Sequence, residues 1–152
     1  MRAIKVVEAT DAATLSTIHA TAFDAPWDEA AIAGLLGQAG VFGLADAAAD
    51  AFILCRVVLD EAEILTLAVR PTARRKRLGA RLVEDAAATA VQFGAERLFL
   101  EVAEDNAPAR ALYEGLGFLQ TGRRRGYYDR GVEGAVDALL FTLTLTQPLP
   151  TA

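Results

Sequence analysis

The chain has 152 residues, 53% of them apolar, a net charge of -5 and one cysteine. That length fits a single domain over 1–152, the apolar content argues against disorder, and the acidic balance argues against a general nucleic-acid binder. A lone Cys55 excludes an intramolecular disulfide and a cysteine-rich metal site, so no metal and a reduced, cytoplasmic setting are expected.

From the N-terminus, Met1 to Val7 lacks the apolar stretch of a secretory signal, and Ile4 and Val6 open a first strand. Thr10 and Asp11 are N-cap candidates for a helix through Ala20. Asp24 to Trp27 predicts a turn, after which Asp28 starts a second helix through Leu36. Gly37, Gly40 and Gly43 break the chain into loop and a short strand. Ala51 to Leu59 is a strongly apolar strand, Asp60 and Glu61 a turn, and Glu63 to Val69 the returning strand, which Pro71 ends.

Leu78, Leu82, Ala86, Ala90 and Phe93 then recur at three or four residues and predict a long helix with one apolar face. Gly94 stands where a C-cap glycine belongs. Arg97 to Ala103 is the next strand, and Asn106 and Pro108 suit the cap and first turn of a short helix ending near Gly115. Phe118 to Tyr128 and Asp137 to Thr146 are the last two strands. No apolar run approaches the roughly 18 residues of a membrane helix, so no membrane association is expected. The order β-α-α-β-β-β-α-β-α-β-β implies an α/β fold with a mixed, mostly antiparallel twisted sheet and helices on both faces.

Ten of the 15 Lys and Arg fall in two short segments: Arg70, Arg74, Arg75, Lys76, Arg77 and Arg81, then Arg123, Arg124, Arg125 and Arg130. The first opens the long helix. A helix N-terminus offers unpaired N–H groups and the positive end of its dipole, and added cations suit a polyanion. Gly79 would let the backbone approach such a ligand closely. Neither GxxxxGK[ST] nor GxGxxG occurs, so this is neither a P-loop nor a dinucleotide fingerprint.

In the second half, Glu101 interrupts the apolar strand Leu98, Phe99, Leu100, Val102, with Leu98, Leu100 and Val102 on one face and Phe99 and Glu101 on the other. A carboxylate among apolar neighbours tends toward a raised pKa, which suits a general base; alternatively it pairs with an arginine at a strand end. Tyr113, on the short helix, is either core or functional. His19 reads as structural or exposed, Trp27 as packing, and Cys55 as a small buried apolar group rather than a nucleophile.

The run Arg74-Arg75-Lys76-Arg77-Leu78-Gly79 resembles the cofactor loop of GNAT acetyltransferases, with Arg77 standing where the family has its first glycine. The resemblance implies acetyl-CoA as cosubstrate. The backbone from Arg75 through Lys76, Arg77, Leu78 and Gly79 to Ala80 would cradle the pyrophosphate, and Leu67, Ala68 and Val69 would pair edge-on with the pantetheine arm. An arginine in place of that glycine can take helical φ and ψ, which would keep the amide cradle. Leu100-Glu101-Val102, Asn106, Ala111-Leu112-Tyr113-Glu114 and Gly117-Phe118 resemble the RimI-like ribosomal-protein alanine N-acetyltransferase branch. His19, Phe23, Pro26 and Trp27, Tyr127 and Tyr128, and Asp137 to Leu140 are similar to it as well.

That likeness implies Glu101 as general base, Tyr113 as general acid and Asn106 as a contact to coenzyme A, with the acceptor amine attacking directly in a ternary complex. The implied acceptor is a protein N-terminus, such as a ribosomal protein starting with Ala. The alternatives are a lysine or small-molecule acceptor, or a catalytically inactive binding domain. At pH 7 roughly one α-amine in ten is neutral, against about one lysine in a few thousand, so an α-amine asks less of the base. An ordinary thiol near 8.5 and tyrosine near 10 make the final proton transfer close to balanced.

Overall fold

The computed structural model describes residues 3–145, so the expected strand end at Thr146 lies outside the described residues. The expected order of elements is present. Strands β1 (Ile4–Val6), β2 (Val41–Asp46), β3 (Ala51–Val58), β4 (Glu61–Val69), β5 (Arg97–Ala103), β6 (Leu119–Asp129) and β7 (Ala135–Thr144) form one sheet in the order β1-β2-β3-β4-β5-β7-β6. Among the described residues only β4 and β5 run parallel; the other ladders are antiparallel.

Helices α1 (Ala12–Ala22) and α2 (Glu29–Leu36) cover one face, and α3 (Leu78–Gln92) and α4 (Ala107–Gly115) the other. Alternation along β3 feeds both cores. Ala51, Ile53 and Cys55 pack with Leu78, Leu82, Val83 and Ala86 of α3, whereas Phe52 and Leu54 pack with Leu15, Ile18 and Ile32 of α1 and α2. Burying one such side chain contributes about 1.5–3 kcal/mol.

Helix ends follow their local chemistry. Asp28 Oδ1 accepts from the Ala31 N–H at 2.8 Å and starts α2. At the end of α3, Gly94 takes φ 94° and the Ala95 N–H donates to the Ala90 carbonyl at 3.0 Å, a 6→1 closure. Phe93 departs from expectation. It is not on the buried face: the stripe's last buried helical residue is Ala90, and Phe93 is the C-cap, 63% exposed and stacked on Phe42.

Two features of β4 shape the molecule and had no signal in the sequence. Leu54 pairs with Thr66 while Cys55 pairs with Ile64, so Leu65 is an extra residue, a β-bulge. The bulge sends Thr66 and Ala68 toward α1 while Leu67 and Val69 pack on the α3 side. Beyond it β4 leaves β5. The parallel ladder covers only Glu61 to Glu63 against Arg97 to Phe99, and past it the two strands share no pairing among the described residues. β5 continues with β7 on its other side to Ala103.

Candidate active site

The parting of β4 and β5 leaves the β4 main chain from about Ile64 to Val69 with one paired edge, toward β3, and one edge facing a wedge. Backbone N–H and C=O groups on such an edge require partners. Leu67, Ala68 and Val69 therefore stand where an extended ligand can complete the ladder. Val69 leads through a short 3-10 turn, Pro71–Ala73, into the basic loop, and the Arg74 Nε–H donates to the Val69 carbonyl at 3.3 Å.

Helix α3 differs from α2 and α4 in having no side-chain cap at its N-terminus. Its N-cap is Arg77, whose side chain reaches Glu84 on the helix surface at 3.4 Å. The N–H groups of Leu78, Gly79 and Ala80 thus open the helix without a side-chain acceptor, beside the exposed Arg74, Arg75 and Lys76. That donor set fits a polyphosphate anion.

The loop corrects one expectation. Arg77 is not in the right-handed helical region but left-handed, at φ 60° and ψ 18°, and Arg75 is left-handed at φ 65°. Arginine thus takes, at the expense of Cβ strain, the conformation that glycine adopts freely. A Cβ at Gly79 would make ordinary van der Waals contact with Leu112, Leu67 and Val69, at 3.5–3.8 Å.

Glu101 on β5 and Tyr113 on α4 lie on opposite faces of the sheet, Tyr113 in the core under α3. Glu101 lies on β5 as alternation requires, with Leu98, Leu100 and Val102 buried opposite. Its surroundings are not purely apolar: the Arg124 guanidinium on β6 pairs with its carboxylate at 2.9 Å, reaching across β7. Glu101 thus carries an arginine partner while its side chain stays 22% exposed. Tyr113 is 6% exposed, edge-on to Phe118 at 5.4 Å. Burial first, and the neighbouring Cys55 second, hold its phenol well above the ordinary tyrosine value. Burial likewise pushes the Cys55 thiol up, which agrees with an inert core cysteine.

Asn106 caps α4, its Oδ1 accepting from the Ala109 N–H at 3.2 Å, which leaves its amide N–H₂ to donate elsewhere. His19 is structural and buried. Its Nδ1 accepts from the Trp27 N–H at 3.1 Å, so Nε2 carries the proton and donates to Thr66 Oγ1 at 3.0 Å, beside the β4 bulge. Phe23 and Trp27 stack on its ring, at 4.2 and 5.0 Å.

Three of the four arginines of the second cluster have acidic partners. Arg123 pairs with Glu104 and Asp137, Arg124 with Glu101, and Arg130 with Asp105. Sequence reading missed two residues near Glu101. One is Arg124, legible only as part of a charge run. The other is Glu63, a carboxylate on an apolar strand like Glu101 but taken as the strand's start.

The acetyltransferase (GNAT) family model matches residues 14–118. The chain belongs to the GNAT acetyltransferase family. Its relatives include the [ribosomal protein bS18]-alanine N-acetyltransferases of Salmonella typhimurium, 35% identical, and of Escherichia coli, 36% identical, each over 96% of this chain and 99% of the relative. The crystal structure of the ribosomal-protein-S18-alanine N-acetyltransferase from Escherichia coli matches with a TM-score of 0.86 at 35% identity, covering 97% of this chain and 96% of that one. Arabidopsis thaliana NAA60 in complex with acetyl-CoA shares the GNAT fold, with a TM-score of 0.82 at 18% identity over 95% of this chain and 99% of that one. This GNAT protein is an acetyl-CoA-dependent N-acetyltransferase, which sets aside the inactive-domain alternative.

Proposed function

We propose that this enzyme acetylates the α-amine of a protein N-terminus, that of a ribosomal protein beginning with alanine, with Glu101 as general base and Tyr113 as general acid. The observation that carries the acceptor is the end-to-end likeness to the two bS18-alanine N-acetyltransferases. The site geometry supports the chemistry.

Acetyl-CoA supplies an acetyl group already activated as a thioester. The uncapped start of α3, from Arg74 through Arg75, Lys76, Arg77, Leu78 and Gly79 to Ala80, holds its pyrophosphate. The open edge of β4 at Leu67, Ala68 and Val69 would hold its extended arm, and the Asn106 amide N–H₂, left over from the α4 cap, would donate to it. Glu101, steadied by Arg124, takes the ammonium proton on a carboxylate oxygen. Tyr113 keeps a proton on its hydroxyl oxygen throughout the physiological range, ready for the leaving group. The proton transfer stays matched even though Tyr113 is a weaker acid than free tyrosine. The dry surroundings that raise this phenol also raise a thiol, as Cys55 beside it shows, so a sulfur leaving there would be more basic too.

The test is a pair of conservative variants. Glu101→Gln and Tyr113→Phe should each lower turnover by roughly 10²-fold or more while acetyl-CoA affinity changes little. Wild-type turnover in both would remove these assignments.

A further inference from the structure

Glu63 and Glu101 lie on the same face of the sheet, opposite α3 and α4, on the two strands that part just beyond them. Each carboxylate has an arginine on its outer side. Arg56, its register partner on β3, lies 3.9 Å from Glu63, and Arg124 on β6 lies 2.9 Å from Glu101. The four side chains form a staggered row of arginine, glutamate, glutamate and arginine: Glu63 is in register with Phe99, and Glu101 lies two residues further along β5, near enough for its charge to act on Glu63. Both carboxylates are partly open to solvent, at 35% and 22% side-chain exposure.

Arg124 also lies over the Tyr127 ring, 5.0 Å from its centroid. Tyr128 on β6 feels Glu101, and burial chiefly raises its phenol. Below the row, Arg97 pairs with Asp60 and Glu61. From α1 the titratable group on this face is His19, held by Thr66.

We propose that Glu63 is a positioning residue of the acceptor site, forming with Glu101 a two-carboxylate seat for the α-ammonium of the incoming chain. The proposal rests on Glu101 as the base. Without an acceptor the row is neutral overall but carries a repulsive centre. An ammonium placed between the carboxylates turns that repulsion into two attractions, whereas a blocked N-terminus gains nothing. The proton then moves from the ammonium nitrogen to a Glu101 oxygen, which frees the nitrogen lone pair and leaves Glu63 as the one negative centre of the pair. Burial holds the Glu63 carboxyl above the ordinary glutamate value; Arg56 and Arg124 pull it down and the nearby Glu101 charge pushes it up.

The test measures steady-state kinetics across pH with an alanine-starting peptide, together with calorimetric acetyl-CoA binding, for wild type, Glu63→Gln, Glu63→Asp and Glu101→Gln. Glu63→Gln should raise the peptide KM roughly three- to ten-fold at unchanged acetyl-CoA affinity. Its acidic limb of kcat/KM should move to lower pH, because a pair has become a single carboxylate. Glu63→Asp should restore most of the wild-type limb. Retained acetyl-CoA binding shows that the fold is intact. An unchanged peptide KM and an unchanged limb in Glu63→Gln overturn the proposal alone, provided Glu101→Gln is inactive. Wild-type turnover in Glu101→Gln removes the base and the proposal together.

Discussion

Replacing Arg77 by glycine isolates the backbone of the cofactor loop from its charge. Arg77 is left-handed, at φ 60° and ψ 18°, which costs an L-residue roughly 1–2 kcal/mol. Glycine removes that strain but brings about 0.5–1 kcal/mol of extra freedom to the unfolded chain. The ion pair lost with Glu84 joins side chains that are 79% and 57% exposed, and such pairs contribute little. The net expectation is a small gain, up to about 1 kcal/mol, read as a Tm raised by about 2–4 °C at this size. In calorimetric titration, acetyl-CoA should bind both proteins, weaken as salt rises, and respond to salt less steeply in Arg77→Gly, which has one cation fewer at the anion site. A Tm lowered by several degrees would refute the strain argument. Binding lost in the glycine variant would show that the guanidinium itself holds the ligand. Binding by the glycine variant alone would show that Arg77 blocks the natural site.

Asn106→Ala removes the α4 cap and should lower stability by about 1 kcal/mol, seen in thermal melts, as well as weaken acetyl-CoA binding. Asn106→Asp keeps an acceptor for the Ala109 N–H but loses the amide donor, so it should bind acetyl-CoA more weakly with little change in Tm. Burial holds His19 below the ordinary histidine value, so as pH falls below about 6.5 the unfolded chain takes up a proton that the folded chain refuses. Stability should therefore fall with pH in that window, and urea midpoints of His19→Gln should show a flatter dependence. Leu82→Ala, at a fully buried site under the sheet, should cost about 2–5 kcal/mol by denaturant unfolding.

Periodicity made the order of elements legible. Alternation through Leu98, Leu100 and Val102 placed Glu101 on the correct face of β5, and the Asn106 and Gly94 caps lie where their chemistry predicts. What escaped the sequence arises from pairing between strands. The bulge at Leu65 exists only relative to β3, and the separation of β4 from β5 only relative to the helices beneath them. Local propensity misplaced Arg77, because right-handed φ is the default for arginine and the loop overrides it. The Glu101–Arg124 and Glu63–Arg56 pairs join residues far apart in the chain or on neighbouring strands, so a run of arginines could not say which carboxylate each one meets.

The acceptor decides the account. An alanine-starting peptide, the same peptide with a blocked N-terminus, and lysine-containing controls should be incubated with the enzyme and acetyl-CoA, and the acetylated position located by mass spectrometry. The α-amine of the free peptide should be acetylated and the blocked peptide should be inert. Acetylation confined to internal lysines, or equal in free and blocked peptides, would contradict the assignment.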